Sequence, residues 1–134
     1  MNKEDVIQKL VNQYPTAAVL RSKNPELSDL LTGEFADGYT PYEFKEGIVV
    51  SRRLLQGKEK DPTVGIITPG KYEFNTGGNT ETMTVLEGYL VAGVNDLKKS
   101  TLQKYGSIIA PSGTTLKFET LQYTFYFCQY FPKK

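Results

Sequence analysis

The chain has 134 residues, 16 basic against 15 acidic side chains, and no histidine. A net charge so close to zero lacks the concentrated basic field that general binding to nucleic acid or an anionic membrane demands, and the pairs Arg52-Arg53 and Lys98-Lys99 are short enough to read as solvated surface. The length fits one domain, which buries roughly two-thirds of the surface its unfolded form exposes.

The first predicted element is a helix over residues 3–13. Val6, Ile7, Leu10 and Val11 recur there at helical spacing, Asn2 is placed to cap it, and Glu4 and Asp5 suit its positive end. A helix this short does not hold in water by itself, so it is expected to dock on the body of its own fold or on a partner, the former being favoured. Tyr14-Pro15 ends it, because the residue before a proline is driven from helical angles. The apolar run Ala17 to Leu20 reads as a short strand. Residues 22–44, rich in Asn, Pro, Ser, Asp and Gly, read as an irregular connection with at most one helical turn around Leu27 to Leu31.

From Phe44 the pattern changes to short strands punctuated by turns. The strands are predicted at Ile48–Leu55, Val64–Thr68, Lys71–Thr76, Glu81–Glu87, Tyr89–Val94, Ser100–Lys104, Ser107–Ala110, Thr115–Thr120 and Tyr123–Phe131. Strands at this spacing make an all-β antiparallel sandwich or jelly roll, and nine Tyr and seven Phe suit such strands and the walls of a pocket. Cys128 is the single cysteine, which excludes an intrachain disulfide. Within FYFCQYF it reads as core filler, with no histidine to activate it as a nucleophile. No stretch has signal-peptide or transmembrane character, so a soluble cytoplasmic protein is expected.

The segment GKYEFNTGGNTETMTVLEG is the most informative. Its framework of Gly70, Glu81 and Gly88 resembles the first motif of a cupin barrel, with Thr76 and Gly78 where a metal-binding cupin carries imidazoles. Gly106, Pro111 and Gly113 resemble the second cupin motif, with Leu116 in place of its histidine. A lone carboxylate is a poor transition-metal site, so no metal and no organic cofactor are expected. Taken with VGIITPGKYEFNT, GSIIAPSGTTLKF and the closing aromatic strand, residues 42–131 resemble the pyrimidine/purine nucleoside phosphorylase family of small cupins. That resemblance implies a cupin-like jelly-roll β-barrel domain over residues 42–134, preceded by a short α-helical extension, residues 1–41, docked on it. It also implies a homodimer.

The activity implied is phosphorolysis of purine and pyrimidine nucleosides to free base and ribose 1-phosphate, with nucleoside and inorganic phosphate as the small-molecule partners and no nucleic acid or membrane. Strand alternation puts Tyr72, Phe74 and Thr76 on one face, which the analogy with cupins turns into the barrel, joined by Glu81 and Met83 from the next strand. Glu81 is then the catalytic candidate, accepting hydrogen bonds from ribose hydroxyls or steadying developing positive charge. Tyr72 and Phe74 are base-stacking candidates. Thr76, Met83 and Gln129 complete the substrate-binding set, Gln129 standing where family members often carry Arg or Ser. The phosphate holder is left among Arg52, Arg53, Lys71, Lys117 and the backbone of Gly77-Gly78. Each side chain also has an ordinary reading: Tyr72 and Phe74 as core, Thr76 as a strand former, Glu81 as a turn residue. Two other functions stay open, a small-ligand-binding cupin without catalysis and an interaction protein with a filled barrel.

Overall fold

The computed structural model describes residues 2–132. Two helices open the chain, α1 (Lys3–Val11) and α2 (Ala17–Lys23), followed by a 3-10 turn at Pro25–Leu27. Asn2 caps α1 by accepting a hydrogen bond from the Asp5 amide at 2.8 Å. The run expected as a strand at Ala17 to Leu20 is instead the start of α2. Thr16 accepts from the Val19 amide, and Ala17 and Leu20, three apart, are both buried on one side. Two alanines carry little strand preference, and a capping threonine decides the outcome. No helix among the described residues is long and apolar enough to cross a membrane.

Eleven strands follow: β1 (Glu34–Phe35), β2 (Thr40–Phe44), β3 (Gly47–Leu55), β4 (Thr63–Ile67), β5 (Gly70–Asn75), β6 (Asn79–Glu87), β7 (Leu90–Val94), β8 (Ser100–Leu102), β9 (Ser107–Ala110), β10 (Thr115–Thr120) and β11 (Thr124–Pro132). All nine strands expected after Phe44 are present. β1 and β2 escaped the sequence reading because they are short and mostly exposed, and β2 carries Pro41. Both pair with β3, so the sheet begins within the segment read as irregular.

The larger sheet has the order β1-β3-β4-β11-β6-β9, with β2 also on β3, and the smaller runs β5-β10-β7-β8. The two sheets face each other as an open jelly-roll sandwich, not hydrogen-bonded into a closed barrel. Between them lies the main core, including Val49, Ile67, Tyr72, Val85, Leu90, Leu116 and Phe118. Gly70 and Gly88 bound, for steric reasons, the β5–β6 segment that crosses from the smaller sheet to the larger. A Cβ on Gly70 would come within 2.3 Å of the Glu46 carbonyl oxygen, and one on Gly88, at φ +95°, within 2.6 Å of Thr124 Oγ1.

The larger sheet is apolar on its outer face as well, which is why β3 and β4 read as near-continuous hydrophobic runs. The N-terminal segment covers that face. Leu10 is fully buried against Ile48, Val50 and Ile66, and Leu20 and Leu31 against Leu54, Val64 and Phe127. Burying each such side chain stabilises by about 1.5–3 kcal/mol. Tyr14 pins the junction, its hydroxyl 2.5 Å from the Val50 carbonyl oxygen and 2.9 Å from that of Val64.

Candidate functional site

The inward side chains of the larger sheet fall into cross-strand rows. Ser51, Gly65, Tyr126 and Val85 are aligned on β3, β4, β11 and β6, and two residues along come Arg53, Thr63, Cys128 and Met83. Tyr130 and Glu81 form the next row. Facing these rows, Phe74 of β5 and Leu116 of β10 close a cavity of about 570 Å³. Its mouth is edged by Glu59, Lys60 and Asp61 from the β3–β4 loop. That loop is held by the Asp61 carboxylate, which accepts from the Gln56 and Lys58 amides.

Glu81 lies half-buried in the wall, and burial pushes its carboxyl above the ordinary carboxylate range. The Cys128 thiol points at Glu81 Oε2, 3.9 Å away. Burial, with the Glu81 charge adding to it, raises that thiol to about 12, so it holds its proton and cannot act as a nucleophile at neutral pH. Tyr130 stands next to both. Its hydroxyl shares a 2.9 Å hydrogen bond with Thr63 Oγ1, and the Arg53 guanidinium lies 5.9 Å from its ring centroid. Arg53 donates to the Asp61 carbonyl oxygen at 2.5 Å, and neither Arg53 nor Glu81 is ion-paired among the described residues. Inside the mouth, whose rim carries Glu59, Lys60 and Asp61, the cavity therefore presents Arg53 and Glu81, a cation and a carboxylate without an ion-pair partner among the described residues.

The residues singled out in the sequence divide. Glu81, Met83 and Phe74 line the cavity. Phe74 stands at the apolar side, edge-on to Tyr42 with centroids 5.1 Å apart and stacked on Phe118. Tyr72 does not reach it: the ring is 2 % exposed in the core and its hydroxyl donates to the Thr68 carbonyl oxygen at 2.6 Å. Thr76 is also withdrawn, because Oγ1 is within 2.9 Å of the Pro111 carbonyl oxygen, 3.1 Å of that of Thr114, and accepts from the Thr114 amide. It ties the β5–β6 connection to the β9–β10 connection, a structural duty at the position of a missing imidazole.

Gln129 faces outward, since Tyr126, Cys128 and Tyr130 take the inward positions of β11. Arg52 likewise points out of the sandwich and is not solvated surface. Its guanidinium lies 5.0 Å from the Phe35 centroid and 5.6 Å from that of Tyr14, and it donates to the Ala36 carbonyl oxygen at 2.6 Å. Lys71 and Lys117 sit on the outer surface of the smaller sheet, where Lys117 pairs with Asp96 at 3.2 Å. Of the cations weighed for phosphate, Arg53 is the one on the cavity. The sequence reading missed Tyr126, Tyr130 and Ser51. β11 is aromatic on both faces, with Phe125 and Phe127 turned out and Tyr126 and Tyr130 turned in, so its residue types do not tell which parity lines the cavity.

Among the described residues no three or more His, Cys, Asp or Glu side chains are grouped so that they could hold a metal ion. The family model for pyrimidine/purine nucleoside phosphorylase matches residues 41–130. A pyrimidine/purine nucleoside phosphorylase of Geotalea daltonii is 33 % identical over 90 residues, 65 % of this chain and 84 % of that one. A structure of unknown function from Vibrio parahaemolyticus superposes with TM-score 0.58 at 27 % identity, covering 68 % of this chain and 96 % of that one. The cupin domain of Cnp3 from Schizosaccharomyces pombe superposes with the same TM-score at 14 % identity over 75 % of this chain and 77 % of that one, a likeness of fold. With the match spanning the whole sandwich from β2 to β11, the chain belongs to the pyrimidine/purine nucleoside phosphorylase family, on a cupin-like jelly roll.

Proposed function

We propose that the protein catalyses phosphorolysis of purine and pyrimidine nucleosides in the cavity between its two sheets. The observation that carries this reading is that Arg53 and Glu81, neither ion-paired among the described residues, line one cavity, each beside Tyr130. The reaction needs both signs of charge. A phosphate oxygen forms a bond to C1′ of the ribose while the bond from C1′ to the base nitrogen breaks, and the base leaves with that electron pair and takes up a proton. The sugar passes through an oxocarbenium-like state, so positive charge grows at C1′ as the phosphate approaches.

In this reading Arg53, with Lys60 at the mouth, holds the phosphate dianion, the guanidinium offering paired donors to its oxygens. Glu81 accepts hydrogen bonds from ribose hydroxyls and, ionised, faces the growing charge. Its partly desolvated setting strengthens that interaction and raises its own proton affinity together. Phe74, Leu116 and Met83 give the base an apolar surface that discriminates little between ring systems. None of these steps calls for a covalent intermediate or a metal. The test is release of free base from uridine, adenosine and guanosine with and without phosphate, in the presence of EDTA. Phosphate-dependent release is expected. Binding of nucleosides without release would favour a ligand-binding module, and no release from any nucleoside refutes the proposal.

A further inference from the structure

Two hydroxyl groups in the cavity have no work to do inside the protein. Tyr126 is 5 % exposed and Ser51 7 %. Among the described residues, neither hydroxyl makes a hydrogen bond, although Tyr14, Tyr72 and Tyr130 each do. Buried hydroxyls rarely stay unpaired, because losing water without a replacement costs on the order of 1–3 kcal/mol. The one sealed side-chain polar atom without a partner among the described residues is Arg52 Nε, so the Ser51 and Tyr126 hydroxyls are open to the cavity they line.

Their placement is built into the sheet. Ser51 and Tyr126 flank Gly65 in one row, and the missing side chain at Gly65 is what the Tyr126 ring occupies. A Cβ there would lie 2.2 Å from Cζ and 2.4 Å from the hydroxyl oxygen. The phenol end therefore rests over β4, one strand spacing, about 5 Å, from the strand that carries Ser51. Burial pushes the phenol well above its ordinary value, so it remains a neutral O–H. Along β6, Glu81 lies four residues from Val85, the partner of Tyr126, a separation of about 13 Å between the two levels of the cavity. A nucleoside reaching from Glu81 at its sugar end presents the edge of its base at the level of Tyr126.

We propose that Ser51 and Tyr126 form the base-recognition pair of this cavity, bonding two neighbouring polar atoms on one edge of the base. This rests on the phosphorylase reading for the identity of the ligand. A hydroxyl rotates and can donate or accept, whereas a carboxylate or a lysine fixes one sense. Two hydroxyls side by side therefore take the keto edge of uracil or guanine as readily as the amino edge of adenine or cytosine. Breadth of base specificity is a property of these two residues and not merely of a loose pocket.

The test measures binding of uridine, adenosine, benzimidazole riboside and inorganic phosphate to the full-length protein and to Tyr126→Phe and Ser51→Ala by calorimetry. Each variant is expected to bind uridine and adenosine about three- to tenfold more weakly, the loss of one neutral hydrogen bond. Benzimidazole riboside, whose base has no exocyclic polar group, and phosphate should bind as before, and the melting temperature should not fall. Unchanged affinity for uridine and adenosine overturns the proposal. So does a parallel loss for all four ligands with a lowered melting temperature, which would mark a structural role, and so does absence of nucleoside binding to the parent protein. Nucleoside binding that obeys the expected pattern without base release would refute the phosphorylase reading and leave this assignment standing.

Discussion

Neighbouring arginines on β3 offer a sharp test, because the strand sends them to opposite faces. Arg53→Met keeps the unbranched stem of the side chain and removes its charged end from the cavity. In the folded protein that charge makes one hydrogen bond, to the Asp61 carbonyl, and a distant contact with the Tyr130 ring, both at an exposed position. The cost to stability is about 1 kcal/mol or less, and the melting temperature should move by less than about 5 °C. The cost to phosphate binding is larger. A hydrogen bond to a charged group contributes about 1.5–3 kcal/mol net, so the KM for phosphate should rise roughly ten- to a hundredfold. The nucleoside KM at saturating phosphate should change little. Because the charge is exposed, the wild-type phosphate KM should climb as salt shortens the screening length from about 30 Å at 0.01 M to about 8 Å at 0.15 M, and the variant, left with Lys60 alone, should show a weaker dependence. Arg52→Met is the control. It removes the side chain stacked on Phe35 and Tyr14 and bonded to Ala36, so it should lower the melting temperature and leave the phosphate KM alone. Steady-state kinetics in varied phosphate, with thermal melts of both variants, decide the matter. An unchanged phosphate KM in Arg53→Met, or an equal rise in Arg52→Met, refutes the assignment.

Glu81→Gln should reduce turnover by about a hundredfold or more while the fold survives. Because burial raises the Glu81 carboxyl, the folded protein binds its proton more tightly than the unfolded chain does, and ionised Glu81 costs stability that is regained as pH falls to the ordinary carboxylate value of 4.5. The glutamine variant should therefore melt higher than the parent at pH 7, with the gain shrinking toward pH 4; a gain that grows on acidification would contradict the burial argument. The Cys128 thiol, raised to about 12, should resist iodoacetamide at pH 8 in the folded protein and react only after unfolding in guanidinium, as read by mass spectrometry. Thr76→Val should lower stability by about 1–3 kcal/mol in a denaturant melt, since it orphans the Thr114 amide, and the residual folded enzyme should keep its turnover.

Sequence alone reached the nine strands from β3 to β11, since turn residues and apolar runs mark them, though not the short β1 and β2, and it reached the carboxylate of the cavity through the framework of Gly70, Glu81 and Gly88. What it could not reach has particular causes. Parity along β11 is ambiguous because aromatic residues occupy both faces, and Gln129 enters the substrate set only through the family resemblance, while Tyr126 and Tyr130 carry no local signal. Tyr72 shares its face with Phe74, yet a residue's depth along the strand decides whether it meets the cavity or the core, and depth follows from the facing sheet. Thr76 occupies an imidazole position of the motif, but its hydroxyl is consumed by carbonyls contributed from about 35 residues away, a contact no local pattern encodes. Arg52 and Arg53 were treated alike as a charged pair, although strand alternation makes them opposites.

That opposition explains why the first forty residues, which lie outside the matched region, bear on the site at all. β3 is apolar on its outer face through Ile48, Val50 and Leu54, and its inner face carries Val49, Ser51 and Arg53. A strand at this side of a sandwich ordinarily turns a polar face to water. Here α1 and α2 take the place of water, with Leu10 and Leu20 buried against the sheet, and Tyr14 caps the β3 and β4 carbonyls at Val50 and Val64, each next in sequence to a cavity-lining Ser51 or to Gly65, on which Tyr126 rests. Those carbonyls are fixed from outside at the same level where the cavity needs the Ser51–Gly65–Tyr126 row held in register. The extension is in this sense the outer wall of the cavity: it lies on the far face of the sheet and restrains the strand whose inner face carries Ser51, proposed to meet the base, and Arg53, proposed to hold phosphate.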